Sequence, residues 1–276
     1  MSTGKRHFTF FVISDTHGDL VSEPLIEKAL DHRSQIKPDL TIHLGDAFDF
    51  RWLRMGASED ERAEDIRRDI EQGLMVLERF RPDVFLWGNH DHRLNVCRER
   101  GKVDGPLRAF CNQIIDSIAD CKIPLVLPYC SRDGVFELGP MRFIHGYSHG
   151  QSALTTAART YGKVMMGHIH YADQATIASF DGAKAWSVGC MFDASPDYIR
   201  KSPAQLRWSQ GWAWGSVNLD TKEIQVWQHV EPSTPKQSAL RSRSFLDELT
   251  RRDGAWQNLP NGSGSGFRAP VSSRGN

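Results

Sequence analysis

The stretch Phe8-Thr9-Phe10-Phe11-Val12-Ile13 carries one polar residue in six and runs straight into Ser14-Asp15-Thr16-His17. A nearly continuous apolar run suits a strand buried on both faces. The polar residues at its C-terminal end then lie where open α/β sheets bind their ligands. The pattern recurs. Leu40-Thr41-Ile42-His43-Leu44 is followed by Gly45-Asp46, and Val84-Phe85-Leu86-Trp87 by Gly88-Asn89-His90-Asp91. The apolar stretch 141–144 leads to His145-Gly146, and 164–166 leads to Gly167-His168-Ile169-His170.

Helices are expected between the early strands. Ser22 can cap one in which Leu25 and Ala29, then Ile26 and Leu30, sit four apart on one face. Ser58 and Glu61 form a capping box at the head of a long charged helix over 58–79, with Ile66, Ile70, Leu74 and Leu77 at a 3.6-residue period. It reads as a sandwich helix with a solvated face rather than a cap over a site or a dimer contact. Strand–helix–strand alternation argues for a layered α/β sandwich. After residue 120, short strand candidates at 123–127, 135–138, 185–188, 213–218 and 224–227 join those above, with few helices between, which predicts much antiparallel pairing. Residues 1–231 are expected to form one catalytic domain. Residues 232–276, opening on Pro-Ser-Thr-Pro and closing rich in Gly and Ser, read as a flexible, mildly basic tail with at most a short helix over 244–252.

Lys plus Arg and Asp plus Glu both number 34, so net charge points to neither a nucleic-acid nor an acidic partner; a local basic groove can still hide in a neutral total. The cysteines are odd in number and form no CxxC pair, which argues against a disulfide framework and for free thiols in a reducing cytoplasm. No apolar run approaches the ~20 residues that span a bilayer. The polar start up to His7 offers no secretory segment, so a cytoplasmic location is expected.

Five strand ends carrying Asp, His and Asn together are hard to explain by packing, because buried charges must be paired or metal-bound. Carboxylates and neutral imidazoles without thiolates suit Mn²⁺, Fe or Zn²⁺. On an extended chain, the Asp15-x-His17 and His168-x-His170 spacings put both side chains on one side, where they can grip one ion. Glycines before Asp46, Asn89 and His168 permit sharp turns and close backbone approach.

In these blocks the chain resembles the calcineurin-like metallophosphoesterases, whose pattern reads D-x-H, G-D, G-N-H-[D/E], H and G-H-x-H. All five blocks are present in order, over roughly residues 8–192. The resemblance implies a four-layer α/β/β/α sandwich of two mixed sheets flanked by helices. It also implies a phosphoric ester hydrolase with two divalent metal ions, Mn²⁺ first, with Fe, Zn²⁺ and Ni²⁺ as alternatives. Asp15, His17 and His170 would hold the first ion, Asn89, His145 and His168 the second, and Asp46 both. Such ions sit ~3.5–4 Å apart and lower water's pKa from about 15.7 to around 7, so a bridging hydroxide is the implied nucleophile. His90 would protonate the leaving group or stabilise the equatorial oxygens, and Asp91 would orient it.

Neighbouring residues are read more plainly. His43 is balanced between bracing the site and core packing, and Asp49 between bracing a histidine ligand and a solvated loop. His92, Arg93 and Arg51 are expected in surface salt bridges rather than on phosphate, His149 in a structural role, and Trp212 and Trp214 packed in the sheet.

Two departures bear on substrate. Gly45-Asp46-Ala47-Phe48-Asp49-Phe50-Arg51 and the closing Asp91 differ from the G-D-x-V-D-R-G and G-N-H-E of the Ser/Thr phosphoprotein phosphatases. The G-H-x-H ending is the form of the phosphodiesterase and nuclease branches, and the wording around Asp46 and Asn89 resembles metallophosphoesterases of tailed phages and prophages. The expectation is a phosphodiesterase acting on a nucleotide or nucleic acid, approached over the basic stretches 51–54 and 93–100. The alternative is a phosphomonoesterase on a small molecule or protein. A non-catalytic scaffold comes last, because no ligand is lost and His90 is kept.

Overall fold

Alternation along the first strand, β1 (His7–Ile13), builds two faces at once. Phe10 and Val12 point to one side, Phe11 and Ile13 to the other, and all four are fully buried. The protein's structure, a computed structural model, describes residues 5–63, 65–99, 105–178, 182–193 and 207–232. After β1 come α1 (Glu23–Ile36), β2 (Leu40–His43), α2 (Glu59–Ala63), α3 (Ile66–Phe80), β3 (Val84–Leu86), α4 (Arg93–Glu99), α5 (Gly105–Asp120) and β4 (Leu125–Leu127). Then follow β5 (Phe136–Leu138), β6 (Met141–Ile144), α6 (Ala153–Tyr161), β7 (Lys163–Met166), β8 (Ala172–Thr176), β9 (Lys184–Val188), β10 (Gly211–Asn218) and β11 (Ile224–Val230).

One sheet has six strands in the order β11-β10-β1-β2-β3-β4, the other five in the order β5-β6-β7-β9-β8. Strands β1 to β4 run parallel, with β10 and β11 added antiparallel. In the second sheet β6, β7 and β9 are parallel and only the edges β5 and β8 are antiparallel. The second half thus has the antiparallel character its short strands suggested, in four of the seven pairings its described strands make, around a parallel centre of the second sheet. The unpredicted helix α6 is a crossover that returns the chain parallel between β6 and β7.

The inner faces interlock through Phe10, Val12, Ile42 and Leu86 against Met141, Phe143, Met165 and Val188. Phe11 and Ile13 pack under Leu25 and Ile26 of α1 and Val76 and Phe80 of α3. Ile144, Val164 and Met166 lie under Leu154, Ala157 and Ala158 of α6. This is the helix–sheet–sheet–helix sandwich that was expected, with every parallel strand end at one rim.

The long helix read over 58–79 is two helices. The capping box forms, with Ser58 N–H donating to Glu61 Oε2 (2.8 Å) and Glu61 N–H to Ser58 Oγ (3.2 Å). Asp65 then starts α3 by accepting from Arg67 N–H (3.1 Å). The buried stripe of α3 is Asp69, Gly73, Val76, Leu77 and Phe80, so Ile66, Ile70 and Leu74 are only half-buried. Helices α4 and α5 and strand β8 also went unpredicted. The tail beyond 232, with its possible helix over 244–252, lies outside the described residues. Among the described residues no helix is long and apolar enough to cross a membrane.

Candidate metal centre

Left-handed backbone closes the turns at the strand ends. Asp15 (φ 55°), His17 (51°), Asp46 (52°), His168 (69°) and His170 (60°) all have positive φ. For non-glycine residues this strain costs on the order of 1–3 kcal/mol each and collects at functional sites. The Asp15/His17 and His168/His170 pairs therefore converge through left-handed turns, not along an extended chain as the spacing suggested. Backbone bonds stitch the turns together. Asp15 N–H donates to Gly45 O (2.9 Å), Thr16 and His17 N–H both to Asp46 O (3.0 Å), and Gly167 N–H to His145 O (2.9 Å). A Cβ at Gly88 would fall 2.0 Å from Asp46 Oδ1, and one at Gly167 would fall 2.0 Å from Ser14 Oγ and 2.5 Å from Asp15 Oδ2. Only glycine fits these two close approaches.

Two clusters that share Asp46 result, beside a third of His17, Asp49 and His90. Asp15, His17, Asp46 and His170 each offer a ligand atom within 4.8 Å of the others, and so do Asp46, His145 and His168. Asp46 belongs to both. Asn89 joins the second cluster, its Oδ1 3.1 Å from His145 Nε2. All seven residues selected from the sequence thus meet at one rim, five of them buried and Asn89 and His170 partly so.

The ring partners show what the point between them accepts. His145 Nδ1–H donates to Leu44 O (2.8 Å). Its Nε2 then faces Asp46 Oδ2 (3.3 Å), Asn89 Oδ1 (3.1 Å) and His168 Nδ1 (3.2 Å), a convergence of acceptors that calls for positive charge. His17 repeats the arrangement. Asp49 Oδ1 lies 3.2 Å from its Nδ1, and its Nε2 meets His170 Nε2 at 3.2 Å, with Asp15 and Asp46 oxygens at 3.8 Å. Burial opposes charge on Asp15, yet the His17 and His170 rings hold its carboxyl well below the usual range. Burial likewise pulls His145 down, but Asp46 outweighs it and raises the ring to about 9. His168 falls to about 3 through burial and the neighbouring His145. Oxygen and imidazole donors arranged this way fit divalent cations, and the buried Asp/His groups suggest a dimetal site.

His43 proves to be a brace. Fully buried and lowered to about 3 by desolvation, it accepts from Gly45 N–H (3.1 Å) at Nδ1 and contacts Thr16 Oγ1 (3.3 Å) at Nε2, tying two ligand turns together. Asp49, also buried, is a brace as well, and it corrects the role read for Asp91. Asp49 Oδ1 lies 2.6 Å from His90 Nδ1. Asp91 turns away from His90 and accepts N–H groups of Asp46 (2.8 Å), Phe48 (3.1 Å) and Gly88 (2.8 Å), locking the second ligand turn to the third. Asp69, which carried no sequence signal because it reads as one more acid in a charged helix, sits in the first turn of α3, accepts from Asp49 and Phe50 N–H (2.9 and 2.7 Å) and holds the loop carrying Asp49.

Arg51 makes the salt bridges expected of it, to Asp19 and Asp49. Arg93 does not: its Nη1 donates to Asp49 O (2.7 Å) and its Nη2 to His90 Nε2 (3.3 Å). His92 packs on Tyr129 at 5.8 Å between ring centroids rather than in an ion pair. His149, read as structural, brings its Nε2 within 3.2 Å of His168 Nε2. Trp212 and Trp214 pack in the sheet as expected, stacked on His229 and Trp227. A cleft of about 480 Å³ opens over Asp46, Asn89 and His90, and His149, Tyr171, Arg207 and Trp208 line its other side.

A 92-residue stretch, 33% of this chain, is 36% identical to the uncharacterized protein YpbG of Bacillus subtilis (strain 168); it spans only 29% of that relative's length. Among solved structures, a phosphatase from Mycoplasma pneumoniae is similar over 84% of this chain and 96% of its own, at 11% identity and a TM-score of 0.40. The phosphoesterase Yfce of E. coli is similar over 80% of this chain and 98% of its own, at 17% identity and a TM-score of 0.31. The sequence model of the calcineurin-like phosphoesterases matches residues 8–172, which is more than half of the chain and holds all seven converging residues. On that match, and with its five motif blocks meeting at one rim of the sandwich, the chain belongs to the calcineurin-like phosphoesterase family.

Proposed function

We propose that this chain hydrolyses phosphate esters with two divalent metal ions and prefers phosphodiesters of the nucleotide or nucleic-acid kind. One observation carries the reading: the buried carboxylate of Asp46 is shared by two Asp/His groups. In this reading Asp15, His17 and His170 hold one ion, Asn89, His145 and His168 the other, and Asp46 both. Mn²⁺ is the first candidate, with Fe, Zn²⁺ and Ni²⁺ as alternatives. When bound, such ions supply Lewis acidity and a nucleophile from water at neutral pH.

The chain's own groups position and exchange protons. His90 lines the cleft with Nδ1 against Asp49, so Nε2, which accepts from Arg93 Nη2 at 3.3 Å, is the atom that would turn to an ester oxygen when substrate takes that place. Asp49 fixes the tautomers of both His17 and His90. The diester preference is supported by the Gly167-His168-Ile169-His170 ending. It is also supported by the far wall of the cleft, where Arg207 lies 4.3 Å over the Tyr171 ring beside Trp208. A planar, cationic wall suits a base and a second ester arm. The motif wording supports a phage- or prophage-type member of the phosphodiesterase and nuclease branch. A catalytic domain over 1–231, a tail over 232–276 and a cytoplasmic setting belong to the same reading.

The test is hydrolysis of bis-p-nitrophenyl phosphate against p-nitrophenyl phosphate after chelation and readdition of Mn²⁺. Mn²⁺-dependent preference for the diester is expected. Preference for the monoester would replace the diesterase reading with a phosphomonoesterase.

A further inference from the structure

We infer that Arg93 is a further phosphate-binding residue, whose guanidinium contacts the non-bridging oxygens of the ester beside His90. The inference rests on the phosphoesterase reading and deepens it. A guanidinium offers five N–H donors in a fixed fork. Arg93 spends one on Asp49 O (2.7 Å) and one on His90 Nε2 (3.3 Å). Among the described residues no carboxylate oxygen lies within ion-pair distance of it. Its neighbours differ: Arg51 is paired with Asp19 and Asp49, and Arg54 with both oxygens of Glu61.

A half-buried cation with no directly bonded carboxylate is costly, even with Asp49, Asp46 and Asp91 near enough to favour its charge. Desolvation, the largest influence on it, accordingly pulls the Arg93 pKa below its usual value. The cost is offset when an anion arrives, and the anion this rim is built for is a phosphoryl group. The bond to Asp49 O holds the fork in place when Nε2 of His90 turns to the ester, so little side-chain entropy is lost on binding. Arg93 is not itself among the residues lining the cleft, but its Nη2 lies 3.3 Å from Nε2 of His90, which is, so the guanidinium would reach an ester oxygen by exchanging that Nε2 contact for it. A fork matches two oxygens of one phosphate in a way a lysine would not.

The experiment compares Arg93→Gln, Arg93→Lys and, as a control at the exposed Arg6–Asp220 pair, Arg6→Met in the full Mn²⁺-loaded chain. Two readouts are taken: calorimetric binding of inorganic phosphate, and kcat/KM on bis-p-nitrophenyl phosphate. Arg93→Gln keeps a donor for Asp49 O but loses the charge. It is expected to weaken phosphate binding about tenfold and to lower kcat/KM on the order of 10²-fold, the usual cost of one lost transition-state donor. Arg93→Lys is expected to fall between Gln and wild type, and Arg6→Met to stay within about twofold, as a paired exposed charge should. Wild-type phosphate affinity in Arg93→Gln overturns the inference, whatever its turnover. Should that variant fail to fold, wild-type phosphate affinity and kcat/KM in Arg93→Lys overturn it equally. A wild-type chain that neither binds phosphate nor hydrolyses the diester defeats the phosphoesterase reading and this inference together. An active wild type with an indifferent Arg93→Gln defeats the inference alone.

Discussion

Asp49 and Asp91 are buried carboxylates on either side of His90, and their partners give them different work. Asp49 sits behind the Nδ1 atoms of His17 and His90. Removing such an orienting carboxylate commonly costs about 10–100-fold in metal affinity or activity. Asp91 faces three backbone N–H groups instead. Burial first, then the charge of Asp46, raises it to about 7, so its value lies in satisfying those donors. Each buried group left without a partner costs about 1–3 kcal/mol. Asp49→Ala should therefore lose turnover by about 10–100-fold with the smaller drop in melting temperature. Asp91→Ala should lose stability first. Steady-state kinetics and thermal melts on both variants check this, and the reverse ranking would refute the division of roles. Asp49 was half legible in the sequence, as a carboxylate three residues past Asp46. Its choice of His90 was not, because the two lie 41 positions apart.

At the scale of elements, α3 acts as the splint for the loop after β2. Asp69 fastens the N–H groups of Asp49 and Phe50, and Gly73 lets the Phe48 ring lie flat against the helix. A Cβ at Gly73 would stand 2.2 Å from Phe48 Cδ1. Gly73→Val should cost about 1–3 kcal/mol by overpacking, and shift the loop that carries Asp46 and Asp49. Urea melts and a Mn²⁺ titration measure the two effects. Unchanged stability would mean that the loop and helix are not coupled. Hydrophobic periodicity found part of the packed stripe on this helix, Leu77 in the core with Ile70 and Leu74 against it, but missed the rest because it scores side-chain greasiness. An aspartate buried to accept N–H groups and a glycine buried to admit a ring are invisible to it.

Across the whole molecule, the centre links the two sheets, since Asp15 and Asp46 follow strands of one and His145 and His168 follow strands of the other. Ions that bind only the folded chain stabilise it by ~2.7 kcal/mol at a hundredfold excess over Kd. For a domain of this size that is a melting shift of ~5–10 °C. The shift should depend on pH. The His145 pKa is raised to about 9 in the folded, metal-free chain against 6.5 for the free ring. Its contribution is full below pH 6.5 and is lost as pH rises through 9. The metal-free chain should thus melt lower as pH climbs across that window. The gap to the Mn²⁺-loaded chain should widen, because metal takes the place of the proton. Scanning calorimetry with and without chelator tests this, and identical melting in both states would sink the dimetal centre.

The sequence by itself determined which residues meet and roughly where. Apolar runs ending in Asp, His and Asn are local patterns, and parallel strands in a layered sandwich bring their C-terminal ends to one rim whatever the loops do. Tertiary structure alone decided the pairings: Asp46 shared between two clusters, Asp49 rather than Asp91 behind His90, and, among the described residues, Arg51 paired with Asp19 and Asp49 while Arg93 bonds the backbone of Asp49 and the ring of His90. A side chain's type is written in the chain. Its partner depends on which turns pack against each other, and here those turns are joined by backbone bonds such as Asp15 to Gly45 and Gly167 to His145, across separations that no local pattern encodes.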